Sequence, residues 1–166
     1  MSTPDVLTFD AMSHDEAYAT AHGCLGVRRW AEQVVAGRPY AAWPALRSAA
    51  SAAAAELSDA ELDEALAGHP RIGERPGAGH AVEHSRQEQA GVDPGDRDTA
   101  MRLAAGNAAY EQRFGRVFLI RAAGRSAADI LGELERRLGG SDADERQETV
   151  AQLGEIAQLR LEKALS

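Results

Sequence analysis

The sequence predicts an all-α protein, a compact bundle of seven or eight helices. Three observations carry that expectation. Apolar residues recur at helical spacing along nearly the whole chain. Helix starts and stops follow one another in the right order. The one apolar run with β-branched members, Val117 to Ala122, stands alone; it is expected to be extended, but is too isolated to imply a sheet. With 166 residues, no internal repeat, no low-complexity tail and no linker long enough to divide it, the chain reads as a single domain over residues 1–166.

The elements follow in order. Ser13 and Glu16 have capping-box spacing and open a short helix to about His22. Leu25, Val27, Trp30, Val34 and Val35 define a second helix, ended by Gly37 with Pro39 just beyond. Trp43-Pro44 starts an alanine-rich third helix to about Leu57, proline being tolerated in a first turn. Ser58 and Glu61 open a fourth, Asp59 to Ala67, which Gly68 is suited to stop in a left-handed conformation. Residues 71 to 80 hold three glycines and a proline and read as a loop. A long helix is expected from about Arg97 to Arg113, stopped near Gly115. Ser126 to Leu138 is amphipathic and closes at Gly139-Gly140, and Ser141 or Asp142 starts the last helix, through Val150, Leu153, Ile156, Leu159 and Leu161.

Composition narrows the function classes. A 44% hydrophobic and 27% charged chain argues against global disorder. The net charge of −8 lacks the basic footprint of a nucleic-acid binder. No apolar run approaches the roughly 20 residues that span a bilayer. The N-terminus has no cationic start before an apolar stretch, and Ala164-Leu165-Ser166 matches no common address signal, so a cytoplasmic protein is expected. A lone cysteine, Cys24, allows no intrachain disulfide and no cysteine-rich zinc site; it reads as a buried small hydrophobe.

Two polar blocks carry the chemistry. His69, one of only five histidines, lies in Gly68-His69-Pro70-Arg71-Ile72-Gly73, directly after the fourth helix. A histidine there can donate to the last free carbonyls, a structural use. But Pro70 fixes its own φ and pushes His69 toward an extended backbone, beside a glycine-rich loop, which suits proton transfer near neutral pH. Ser85-Arg86-Gln87-Glu88-Gln89 follows. Ser85 and Glu88 have the spacing of a capping box, yet Gln89 adds a donor and acceptor that capping does not need. The functional reading has Glu88 orienting the imidazole while Ser85 and Gln89 address polar groups of a substrate.

Two rivals stand beside this one. His80-Ala81-Val82-Glu83-His84 fits the inverted zinc-protease pattern H-x-x-E-H, which would make the chain a zinc-dependent hydrolase. That pattern fixes three positions, requires a helix, and needs a distant third ligand. The other rival is a non-catalytic helical interaction module. Arg160, between Leu159 and Leu161, either snorkels from a helix boundary or reaches inward to bind a carboxylate or ureido oxygen. No Walker loop, dinucleotide fingerprint, nucleophile elbow or Cys-pair zinc site is present, which favours chemistry without a cofactor.

The blocks together resemble a known family. Gly68–Gly73 and Ser85–Gly91 are joined in order by Asn107-Ala108-Ala109-Tyr110-Glu111-Gln112-Arg113-Phe114-Gly115, Phe118-Leu119-Ile120, Gly124-Arg125-Ser126, and Glu155-Ile156-Ala157-Gln158-Leu159-Arg160-Leu161. This ordered set, from about residue 9 to 162, resembles the 2-oxo-4-hydroxy-4-carboxy-5-ureidoimidazoline (OHCU) decarboxylases of urate breakdown. The resemblance implies a helical domain, usually a homodimer, converting OHCU to (S)-allantoin and CO₂ without metal or organic cofactor. It implies His69 as the acid/base, Glu88 as its partner and Arg160 as a substrate anchor. Pro70, Ser85 and Gln89 would line the pocket, and backbone groups of Phe118, Leu119 and Ile120 would contact the ring. Many members carry an Asp-Leu or similar pair after His-Pro, where this chain has Arg71-Ile72.

Overall fold

In a computed structural model, which describes residues 3–72 and 97–166, the chain forms eight helices among the described residues and no strand. They are α1 (Val6–Ala11), α2 (His14–Leu25), α3 (Arg28–Ala36), α4 (Trp43–Ala55), α5 (Asp59–Ala67), α6 (Arg97–Phe114), α7 (Ala127–Leu138) and α8 (Asp142–Ala164). The all-α expectation holds. So do the serine starts. Ser13 and Ser126 make reciprocal capping boxes with Glu16 and Asp129. Ser58 Oγ accepts from the Glu61 N–H while Glu61 accepts from the Ser58 N–H.

The helix ends differ in detail from expectation. Helix α4 stops at Ala55, two residues early, and Leu57 is buried just past its end. Gly37 caps α3 with φ −77° and Gly139 caps α7 with φ −84°, neither left-handed. Left-handed glycines among the described residues include Gly26, closing α2 at φ +76°, Gly115, after α6 at φ +70°, and Gly124. Helix α1 is absent from the sequence expectation. It has only six residues, too few to show a periodic face, and it depends on outside groups. Asp5 accepts from Thr8 N–H at its start, and the Arg38 guanidinium donates to the Phe9 and Met12 carbonyls at its end, at 2.9 and 2.8 Å.

The residues group into two compact units, Met1–Ala65 with Leu153–Ser166, and Leu66–Gln152. In the first, α3 packs against α2 and α4. Trp30 is fully buried, and its indole N–H donates to the Ala50 carbonyl at 3.0 Å, so a large apolar ring is placed without stranding its polar edge. Arg29 of α3 donates to Glu61 of α5 at 2.7 Å and to the Ala53 carbonyl of α4 at 3.2 Å. The Asp5 N–H donates to the Leu165 carbonyl at 2.6 Å, joining the start of the chain to its end. Cys24 is buried and its thiol donates to the Thr20 carbonyl, as a small core residue would.

In the second unit α6 packs against α7 around a core of Leu103, Tyr110, Ile130, Leu131 and Leu134. Ile72, Phe118, Ile120 and Ala122 enter that same core from irregular segments. Val117 to Ala122 has neither helix nor strand, matching the isolated run expected there. Among the described residues, no helix is long and apolar enough to cross a membrane.

Glycine position decides the sign of two substitutions. Gly115→Ala keeps space for its methyl but forces an L residue to φ +70°, so it is expected to cost about 1–2 kcal/mol. Gly23→Ala, inside α2 with nothing near the new methyl, is expected to gain up to about 1 kcal/mol through helix propensity. Urea unfolding of both variants should move the midpoint in opposite directions.

Candidate active site

His69 stands two residues past the end of α5. Its backbone N–H donates to the Leu66 carbonyl at 3.0 Å. His69 and Pro70 are half-buried. The residues after them are gripped by α6. Arg71 makes a two-pronged contact with Glu111, Nε to Oε1 at 2.6 Å and Nη2 to Oε2 at 3.2 Å. Ile72 is buried, and its carbonyl accepts from Asn107 Nδ2 at 3.1 Å. Asn107 and Glu111 are four residues apart, hence neighbours on one face of α6. This explains Arg71-Ile72: the arginine pairs with α6, and the isoleucine fills the core.

Phe118, Leu119 and Ile120 are consecutive and each at most 4% exposed. Buried backbone outside helix and strand needs partners from elsewhere. Arg137 supplies one, donating from Nη1 to the Leu119 carbonyl at 2.6 Å. Gln152 supplies another, accepting from the Arg121 N–H at 2.7 Å. The Arg137 guanidinium itself is 1% exposed and bound by Glu145, with N···O distances of 2.9 to 3.1 Å. It lies 4.7 Å from the Phe118 ring centre and 5.8 Å from that of Tyr110. The Tyr110 hydroxyl donates to Glu145 at 2.5 Å, and its ring meets Phe118 edge-on at 5.2 Å. Burial, then the bond to Glu145, pushes the Tyr110 hydroxyl up to about 12.

Sequence reasoning missed Arg137 and Glu145, and had Asn107, Tyr110 and Glu111 only as letters in a matching block. A signal for Arg137 existed. It follows Ile130 and Leu134 at i+7 and i+3, on the buried stripe of α7.

Arg160 lies on α8 and is 3% exposed, beside Ala157 and Leu161, which are also buried. Its guanidinium is therefore not held at the surface, and the snorkelling reading fails. Ser85, Glu88 and Gln89 lie outside the described residues, as do His80, Glu83 and His84 of the zinc reading. Among the described residues no group of three His, Cys, Asp or Glu side chains is arranged to hold a metal.

The structure thus brings the His69 turn and the Phe118–Ile120 segment to one core, bracketed by α6. With that geometry in place, comparison with known proteins is decisive. The sequence profile of the OHCU decarboxylase family matches residues 10–162. The chain belongs to this family.

Relatives agree. The 2-oxo-4-hydroxy-4-carboxy-5-ureidoimidazoline decarboxylase of Amia calva is 34% identical over 135 residues, covering 80% of this chain and 77% of its own. The protein of the same name from Haloferax volcanii is 29% identical, covering 82% of this chain and 80% of its own. A crystal structure of OHCU decarboxylase in the presence of (S)-allantoin shares the fold, with a TM-score of 0.71 at 22% identity over 86% of this chain and 94% of that one.

The buried cation generates two expectations. Glu145→Ala would strip the buried Arg137 of the carboxylate that makes most of its contacts, leaving only the partly exposed Glu148 at 3.1 Å, and should cost up to about 3–5 kcal/mol of folding stability. Glu148→Ala removes a partly exposed carboxylate and should cost under about 1 kcal/mol. Denaturant midpoints separate the two. The raised Tyr110 pKa implies that the native state keeps a proton which the unfolded chain releases near pH 10. Its contribution to stability is therefore complete below pH 10 and lost as pH rises toward 12. Unfolding followed across that window should show a shallower alkaline loss in Tyr110→Phe than in the parent.

Proposed function

We propose that the chain is an OHCU decarboxylase, forming (S)-allantoin and CO₂ with His69 as acid/base, Glu88 as its partner and Arg160 as substrate anchor. The family match across residues 10–162 carries this reading, because it spans both compact units and every residue assigned a role. The same span supports one catalytic domain over residues 1–166. Pro70, Ser85 and Gln89 are assigned to the pocket, and backbone groups of Phe118, Leu119 and Ile120 to the ring. A cytoplasmic homodimer completes the proposal.

The chemistry needs no external electron sink. The departing carboxylate is on C4 of OHCU, next to the C5=N imine. As the C4–CO₂ bond breaks, its electron pair forms C4=C5, and the imine π pair moves to nitrogen, which takes a proton. The C4 hydroxyl then loses its proton as the C4 carbonyl forms, and C5 gains one. Overall the carboxylate form consumes one proton per CO₂ released. The protein must desolvate the carboxylate, hold the breaking bond perpendicular to the imine π system, and move protons.

Each assigned group answers one of those needs. His69, half-buried and followed by a proline that disfavours a helical backbone before it, takes the C4 hydroxyl proton. Glu88 supports the imidazolium that results. The buried Arg160 guanidinium offers a planar fork to ureido or ring oxygens, where a lysine would offer only a point charge. Three consecutive buried residues at 118–120 present backbone groups to a flat polar ring in a setting poor in competing water. Protonation of C5 from one face sets the S configuration.

Circular dichroism of optically active allantoin, formed from freshly generated OHCU, provides the assay. General acid–base catalysis contributes about 10²–10⁴-fold, so His69→Asn should lower kcat by at least that range with an unchanged helical spectrum. Near-parental turnover in His69→Asn sinks the mechanism. Glu88→Gln should fall by less, since it keeps the shape and loses the charge.

A further inference from the structure

A catalytic base and the groups that hold its substrate must keep register to a fraction of an ångström, and here both belong to irregular segments. His69 follows α5 without being part of it, and Phe118 to Ile120 lie outside any regular element. What the two segments share is one turn of α6. Glu111 holds Arg71 and Asn107 holds the Ile72 carbonyl, which fixes the chain two and three residues after His69. Between them in sequence, Tyr110 packs edge-on against Phe118 and bonds the carboxylate of Glu145, which clamps the arginine that holds the Leu119 carbonyl.

We propose that the Asn107–Glu111 turn of α6 is the positioning element that sets His69 in register with the ring-binding backbone at 118–120, and that the Arg71–Glu111 pair is its adjustable part. This rests on the functional reading above. Residues 107, 110 and 111 occupy adjacent places on one helical face, so a rigid rod carries both attachments. The pair is unlike the buried Arg137–Glu145 clamp, because its side chains are 45% and 25% exposed. Exposed pairs contribute little to global stability. Its two-pronged geometry nevertheless fixes orientation, which a single bond to a flexible chain would not. Pro70 transmits that constraint, since its ring removes one torsion between Arg71 and His69. Asn107, only 5% exposed, leaves its Oδ1 without a hydrogen-bond partner. An apolar residue there would avoid that cost, so its retention fits a specific grip on the Ile72 carbonyl.

The test compares Arg71→Met, Glu111→Gln and the charge-swapped double variant Arg71→Glu/Glu111→Arg, using the full chain and the allantoin dichroism assay. Misplacing a catalytic group by about an ångström costs up to roughly 10²-fold, so each single variant should lose about 10- to 100-fold in kcat. KM should stay within about threefold, because neither residue is assigned a contact with the substrate. Urea midpoints should match the parent, and the swap should recover most of the lost kcat. Singles with parental kcat, a kcat loss that tracks a lowered midpoint, or a swap no better than the singles would each overturn the proposal. Failure of the functional reading looks different: His69→Asn itself would then remain active. An inactive His69→Asn beside fully active Arg71 and Glu111 variants rejects the positioning role alone.

Discussion

One buried guanidinium organises the second compact unit. Arg137 is 1% exposed, and a cation taken so far from water costs several kcal/mol unless its donors are matched. The matching partners come from separate stretches of chain. Glu145, in the first turn of α8, supplies the charge; Thr149 lies one turn on; Leu119 gives a carbonyl; Phe118 and Tyr110 give ring faces. A shift of Glu145 or of the Leu119 carbonyl would take a hydrogen bond from the buried guanidinium. That coupling holds Phe118, Leu119 and Ile120 buried although they belong to no helix or strand.

Most of the helices were legible because their signals are local. A serine followed three residues later by an acid can be read without knowing anything distant, and Ser13, Ser58 and Ser126 each start a helix as expected. Helix α1 was not legible for the complementary reason. Its carbonyls are satisfied by Arg38, far along the chain, and six residues hold no period to detect. Gly37 and Gly139 mark stops correctly while adopting ordinary right-handed angles, so composition locates an end more reliably than it specifies the geometry.

The candidate site divides along the same line. His69 and Arg160 are conspicuous by residue type and by neighbours, a histidine before proline and an arginine between leucines. Arg137 is not. It stands beside Arg136, indistinguishable in letters, yet the side chain of one is 55% exposed and the other 1%. Only packing separates a surface cation from the one on which a backbone segment hangs. Arg71 shows the converse: a departure from a common family pair is explained once Glu111 is seen across from it.

Trp30 and Trp43, the chain's two tryptophans, both belong to the first compact unit. Trp30 is sealed and hydrogen-bonded, Trp43 half-buried at the start of α4. Indole emission is thus a private reporter of one half of the molecule. Tyr110, clasped to Glu145, is the one tyrosine of the second unit and gives it a near-ultraviolet signal of its own. An indole signal in one unit and a buried phenol in the other thus mark different stretches of the same chain.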